Sequence, residues 1–371
     1  MARLRLQYST WRYLEAFARE RAKLRWRDRV YYHWSSLWFS VTDQMLLGAY
    51  GAELNRVEIC QDPLFVVGFW RSGTTLLHEL LCQDPQFGFP TTAQCFNPAL
   101  PLLRRRQPKS DQVLVKRPMD QIYIGPHSPQ EDEFALLSLG APSVYRALLV
   151  PSLLEEMVDN LGVARLSDAD QRTWRELFLN FLRRVSFADS RRLVLKSPSH
   201  TFRIELLTQM FPRAQFVLIL RDPYDTWASN LKLWNALFRL YALHDWEEDT
   251  IRSFLCKAYQ LMLQKVQVAR RSLPPSRYCE IRFESLEKHP MAALENIYCQ
   301  FDLSGFPQAR SLMQAYLDRN ASYARDRYYL KPSEISYIND CLGSFINALG
   351  YPLRTAWSRQ QSDRHSITTG S

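Results

Sequence analysis

The stretch that most constrains the fold is "FVVGFWRSGTTLLHELL", residues 65 to 81. It begins within "LFVVGF" (64–69), a short β-branched and aromatic run ending at glycine, which is the pattern of a buried strand. It ends with Leu76, Leu77, Leu80 and Leu81, whose spacings of one, four and five share one face of a helix. Strand, glycine loop and helix in this order make an anion site, because loop N–H groups and the positive end of the helix converge on one point. The common nucleotide-binding version, G-x-x-x-x-G-K-[ST], carries lysine after its second glycine. Here that place is Thr74, and Arg71 supplies a cation from within the loop. Gly73 lets the backbone come close to a ligand, and Ser72, Thr74 and Thr75 add hydroxyl donors.

Two more strand-like runs, "RLVLK" (192–196) and "QFVLIL" (215–220), enclose the helix pattern "TFRIELLTQMF" (201–211). This β-α-β unit favours a parallel sheet with right-handed crossover. "YCEIRF" (278–283) supplies a further strand, and helical periodicity marks about 168–188, 246–272, 290–302, 308–318 and 333–349. "FNPALPLLRRRQPKSDQVLVKRP" (96–118) reads as an irregular excursion, and "YIGPHSPQEDEFALLSLG" (123–140) as a loop running into a helix. The expected fold is α/β: a three-layer P-loop-like fold with a central parallel β-sheet flanked by helices and helical insertions. Ligands then belong outside the carboxyl ends of the strands. Residues 1–60 are expected to be a basic aromatic helical segment packed on the core, 61–355 one domain, and 356–371 a polar tail.

A net charge of +9 over 371 residues favours anionic partners without choosing among them. Residues 1–38 alone carry nine Lys/Arg against three acids, interleaved with aromatic residues such as Trp11, Tyr13, Phe17, Trp26, Tyr31, Trp34 and Trp38. Such a segment either packs on its own domain with its arginines in water, or approaches a membrane or lipid substrate; nucleic acid is not expected as a partner. Seven cysteines without a C-x-x-C pair indicate neither a disulfide framework nor zinc, so they are expected as reduced thiols, mostly filling core. With no apolar run of about 18 residues, the expected setting is cytoplasmic rather than membrane-anchored secretory.

Two other segments offer cations. In "LILRDPYDTWASNLKLW" (218–234), Asp222 and Pro223 form a good helix start, Arg221 lies just before it, and Ser229 lies two turns in, so Arg221 and Ser229 can face one phosphate. The plainer reading of Arg221 is a surface ion pair with Asp222 or Asp225. Trp227, Leu231 and Trp234 read as a core stripe. In "LVLKSPSH" (193–200), Lys196 closes a strand, where a cation can neutralise charge developing on a bridging oxygen; His200 either starts a helix or belongs to the site.

The order of these pieces resembles the 3′-phosphoadenylyl-sulfate (PAPS) dependent sulfotransferase family. The carrying residues are a strand before R-S-G-T-T-L-L, a strand ending K-S-P, and a strand before R-D-P-x-D-x-x-x-S. The likeness is to the bacterial sulfotransferase-3 type group within the P-loop sulfotransferase superfamily, and it covers roughly 64–84 and 190–290. It implies that Arg71 to Leu76 (Arg71, Ser72, Gly73, Thr74, Thr75, Leu76) cradle the 5′-phosphosulfate of PAPS, that Arg221 and Ser229 hold its 3′-phosphate, and that Lys196 assists the leaving oxygen. The product would be 3′-phosphoadenosine 5′-phosphate, and no metal is implied. "RFESL" (282–286) is similar to the family's R-Y-E-x-L segment, with Phe283 in place of the tyrosine, so only packing is expected there. Arg325 and Arg327 in "YARDRYYL" are expected as closing contacts to the 3′-phosphate.

Sulfuryl transfer needs a base for the acceptor's proton. "PHSPQEDEF" offers His127, Glu131, Asp132 and Glu133, although acids in a helix's first turn also serve its dipole. The resemblance points to Glu131; Glu133, His127 and His200 are its rivals. Two other functions compete with sulfuryl transfer: a P-loop kinase or NTPase, against which Thr74 speaks, and a catalytically silent nucleotide- or lipid-binding protein. The many aromatics imply a small-molecule or lipid acceptor of apolar character, with peripheral membrane contact through the N-terminal segment left open.

Overall fold

The computed structural model describes residues 26–103, 115–116, 123–163, 166–321 and 328–355. The expectations for Arg325, Arg327, the first 25 residues and the 356–371 tail lie outside the described residues. The main sheet has strands β1 (Leu64–Gly68), β2 (Phe87–Gly88), β3 (Arg192–Lys196), β4 (Gln215–Leu220) and β5 (Tyr278–Arg282), in the order β2-β3-β1-β4-β5. Every neighbouring pair is parallel. The β-α-β unit over 192–220 therefore straddles β1, with Leu64 opposite Val194 on one side and Gln215 on the other.

Side chains alternate between the two faces of a strand, and here both faces are covered. Phe65, Val67, Leu193, Leu195, Phe216 and Leu218 enter one core; Leu64, Val66, Val194, Val217, Ile219 and Ile281 enter the other. Burial on both sides explains why the strands read as unbroken apolar runs instead of alternating ones.

The flanking helices are α1 (Trp26–Asn55), α2 (Thr74–Leu81), α3 (Glu133–Ser138), α4 (Asp168–Ala188), α5 (Ile204–Met210), α6 (Pro223–Tyr241), α7 (Glu248–Ser272), α8 (Pro290–Gln300), α9 (Phe306–Arg319) and α10 (Pro332–Ala348), with shorter turns between them. Helices α4, α6, α7 and α10 build the larger core with Phe178, Trp227, Trp234, Tyr259 and Phe345. The smaller core is closed by Leu77, Leu80 and Leu81 of α2, Leu294 and Ile297 of α8, and Met313 of α9. Trp227 and Trp234 are fully buried, as a core stripe requires. Helix α1 docks on α4, where Asp43 and the buried Arg184 form an ion pair.

The cysteine expectation is corrected. Cys256 of α7 and Cys341 of α10 form a disulfide, with Cα atoms 6.0 Å apart across 85 residues, because α7 and α10 pack side by side. Of the other five, only Cys95 and Cys279 are buried. Among the described residues, no helix is long and apolar enough to cross a membrane.

Candidate active site

Because the strands are parallel, their carboxyl ends share one edge, and each expected site segment leaves the sheet there. β1 runs into the 69–73 loop, β3 ends at Lys196, β4 delivers Arg221, and β5 delivers Phe283.

The loop turns sharply. A Cβ on Gly68 would lie 2.6 Å from Ser72 Oγ and 2.7 Å from the Ile219 carbonyl oxygen. Ser72 folds its hydroxyl back, donating to the Phe69 carbonyl at 2.8 Å. Arg71 adopts φ 67°, a left-handed conformation that few non-glycine residues hold and that concentrates at functional sites. Gly73 has φ 103°, and a Cβ there would meet the Phe283 ring at 2.2 Å; the packing role expected of Phe283 thus falls on the loop. Thr74 is buried, while Thr75 and Leu76 are partly buried at the start of α2. Thr201 secures the strand end, accepting from the Gly68 N–H at 2.8 Å and donating to the Gly68 carbonyl at 3.0 Å.

Arg71, Arg221 and Ser229, spread over some 160 residues of chain, form one hydrogen-bonded group. Arg71 Nε donates to Ser229 Oγ at 2.9 Å, and Arg221 donates to the Arg71 carbonyl at 2.8 Å. The Arg221 guanidinium lies 4.8 Å above the Phe283 ring. Tyr328 adds a hydroxyl donor to Ser229 Oγ at 3.2 Å. The surface-ion-pair reading of Arg221 fits poorly, since the residue is only 9% exposed and turns toward the loop. Asp222 caps α6 through the Tyr224 N–H, and with Asp225 it receives Arg354 at 2.7 and 3.0 Å.

Three consecutive acids meet three cationic-type side chains of the 196–203 segment. Glu131 Oε1 lies 2.7 Å from Lys196 Nζ, Asp132 Oδ2 lies 2.8 Å from His200 Nε2, and Glu133 binds Arg203 at 2.5 and 3.1 Å. The last two pairs are wholly buried, and His200 also packs edge-on against Phe65 at 5.4 Å. Glu133 and His200 are therefore held in the core by these partners. Glu131, at 15% side-chain exposure, keeps contact with solvent. His127 sits partly exposed on the preceding loop, and no hydrogen bond among the described residues joins it to Lys196.

Glu131 is held on its other side. Its Oε2 accepts from the Tyr145 hydroxyl at 2.6 Å, and that hydroxyl accepts from Trp70 Nε1 at 3.0 Å. Burial, and next the charge of Glu131, push the Tyr145 phenol well above its ordinary range, so it remains a donor. Tyr145 stacks on Phe134 (5.0 Å), which stacks on Phe96 (5.1 Å), giving an aromatic row that runs away from the carboxylate. The loop carrying Glu131 is fastened by Thr92 N–H to the Ser128 carbonyl at 2.8 Å and Gln130 N–H to the Pro90 carbonyl at 3.0 Å. Below the site, His78 is buried and its pKa is lowered to about 3, first by burial and then by Lys196. No group of three His, Cys, Asp or Glu among the described residues is placed to hold a metal ion.

The residues that sequence reasoning missed are Trp70, Tyr145, Thr201 and Tyr328. Tyr328 lies in the "YARDRYYL" stretch singled out for its arginines and Trp70 within the glycine loop itself, but the part each plays, like that of Tyr145 and Thr201, is revealed only by tertiary contact.

A model of the sulfotransferase family matches residues 63–308. Over 333 residues the chain is 30% identical to the omega-hydroxy-beta-dihydromenaquinone-9 sulfotransferase Stf3 of Mycobacterium bovis and of Mycobacterium tuberculosis, covering 89% of this chain and 86% of those proteins. The fold is similar to that of sulfotransferase STF9 from Mycobacterium avium (TM-score 0.62, 20% identity, 84% of this chain and 82% of that one). It is also similar to STF1 from Mycobacterium tuberculosis (TM-score 0.60, 20% identity, 84% and 86%).

Proposed function

The chain belongs to the sulfotransferase family, and from that premise we propose that it moves the sulfuryl group of PAPS to the hydroxyl of an apolar small-molecule or lipid acceptor, without a metal. The observation that carries this reading is the single group formed by Arg71, Ser229 and Arg221 beside the glycine loop. Two arginines, a serine and loop amides suit a donor with phosphate-class groups at both ends, and Thr74 stands where the nucleotide-triphosphate loop has its lysine.

In this reading the loop from Arg71 to Leu76 binds the 5′-phosphosulfate, Arg221 and Ser229 bind the 3′-phosphate, and Phe283 supports the loop from beneath. Lys196 donates to the oxygen bridging phosphorus and sulfur, and Glu131 accepts the acceptor hydroxyl's proton. As the acceptor oxygen bonds to sulfur, the sulfur–bridging-oxygen bond breaks and its electron pair stays on that oxygen, beside the Lys196 ammonium. Lys196 and Glu131 form an ion pair at 2.7 Å, a contact that Lys196 exchanges for the bridging oxygen in this reading.

An apolar acceptor is supported by the row Tyr145, Phe134 and Phe96 that leads to Glu131. The relatives named for omega-hydroxy-beta-dihydromenaquinone-9 point the same way. An acceptor of that class resides in a bilayer, so peripheral membrane contact by the N-terminal segment forms part of the proposal.

Calorimetric titration with 3′-phosphoadenosine 5′-phosphate tests the donor. It should bind far more tightly than AMP, and Arg221→Ala should remove most of that preference; equal affinity for the two nucleotides would overturn the reading. Glu131→Gln should cut turnover by about 10² or more with nucleotide affinity intact, and unchanged turnover would take the base role from Glu131.

A further inference from the structure

Helix α1 turns an apolar face outward. Trp26, Trp34 and Trp38 are 67%, 65% and 68% exposed, and Val30, Leu37, Val41 and Met45 are exposed with them. At 3.6 residues per turn these seven side chains fall within about 120° of the helix circumference and extend along about 28 Å of it. Gln44 also falls on that arc, with no acid among the described side chains there. Soluble proteins rarely leave a continuous apolar stripe of this size uncovered, and such stripes mark interaction surfaces.

The helix is fixed to the enzyme by its other side. Ser36 and Leu54 are buried, and Asp43 is ion-paired with Arg184, which also donates to the Pro98 carbonyl at 3.3 Å. The outward stripe is therefore a rigid feature of the domain.

We propose that this face of α1 seats the protein on an anionic bilayer surface. Three observations choose that occupant. Tryptophan is the side chain that settles at headgroup depth, with its ring in the acyl boundary and its N–H toward water. The stripe overlaps and continues in sequence a segment with nine Lys/Arg against three acids over residues 1–38, and such cations are attracted to an anionic leaflet. A second copy is disfavoured by the net charge of +9, which two chains would bring together. The surface extends the lipid-acceptor part of the proposed function: α1 rests on α4, and α4 contacts α3, which starts two residues beyond Glu131.

The test is flotation of the full chain with vesicles rich in phosphatidylglycerol and with vesicles of phosphatidylcholine alone, at low and high salt. The protein should float with the anionic vesicles, less at high salt. Trp34→Glu with Trp38→Glu should lower that partition at least about tenfold, with affinity for 3′-phosphoadenosine 5′-phosphate unchanged as proof of a folded enzyme. Absence of flotation, or equal partition of parent and variant, overturns the assignment. So does a dimer that the variant dissolves without any vesicle binding, which would make the stripe a self-interface. Because the assay uses neither sulfuryl donor nor acceptor, its failure leaves the nucleotide result standing, and failure of sulfuryl transfer leaves the vesicle result standing.

Discussion

The Tyr145 hydroxyl donates to Oε2 of Glu131 at 2.6 Å, on the carboxylate oxygen that Lys196 does not take. In the proposed mechanism Lys196 turns to the leaving oxygen, and Tyr145 is then the partner that holds Glu131 in place. Tyr145→Phe deletes a hydrogen bond to the charged form of Glu131, and loss of such a bond raises a carboxyl pKa. The acidic limb of the kcat–pH profile should then move to higher pH, with nucleotide affinity unchanged. The variant also strands the buried Trp70 N–H, at about 1–3 kcal/mol. Adding Trp70→Phe should therefore recover stability and leave the pH limb displaced; a limb that returns with stability would reduce Tyr145 to a packing residue.

Gly73 stands against Phe283 so closely that an added Cβ would meet the ring at 2.2 Å, and its φ of 103° is unfavourable for any L side chain. Gly73→Ala should destabilise by about 1–3 kcal/mol and weaken binding of 3′-phosphoadenosine 5′-phosphate. Phe283→Ala in the same chain relieves the clash and leaves the backbone strain, so denaturant midpoints should recover in part. Full recovery, or none, contradicts this division.

His78 gives the fold an acid sensitivity. Its pKa is about 3 in the folded protein against 6.5 for the ordinary imidazole. Between those values the unfolded chain holds one more proton than the native one, so the contribution is complete above about pH 6.5. It falls by about 1.4 kcal/mol per pH unit as the pH drops toward 3. His78→Gln removes the titration, and its stability should decline more gently over that window. Parallel pH slopes for parent and variant would exclude the effect.

The disulfide joins α7 to α10, and α10 braces the start of α6 through Glu334 to Trp227 Nε1 at 2.8 Å. Cys256→Ser with Cys341→Ser should lower stability by about 2–4 kcal/mol without reductant. Parent and variant should unfold alike once dithiothreitol is present, and a difference that persists in reductant would assign the loss to packing.

Sequence and structure agree where the information is local. The loop, the Asp222–Pro223 helix start and the buried runs are each written in adjacent residues, and the helices around 168–188, 248–272, 290–300 and 306–319 were legible from periodicity within a few positions. What was not legible is pairing across the chain. "PQEDEF" presented Glu131 with Glu133 as its rival, and only the packing of α3 against the 196–203 turn pairs Glu133 with Arg203 in the core and Glu131 with Lys196. Tyr145 carries no motif because its role depends on a partner 14 residues away and another 75 away. The Cys256–Cys341 bond spans 85 residues with no spacing rule to announce it.

The matching of Glu131, Asp132 and Glu133 to Lys196, His200 and Arg203 works as a three-toothed key. A deletion of one residue between Ser128 and Glu131 would bring Asp132 toward Lys196 and leave a mismatched tooth at both buried positions, so length changes there should be rejected outright. The fastening of Ser128 and Gln130 to Thr92 and Pro90 stands in front of that key. Insertions ahead of Gly125 should be taken up before they reach it, which makes that part of the chain the place for loop grafting with the register of the acids kept.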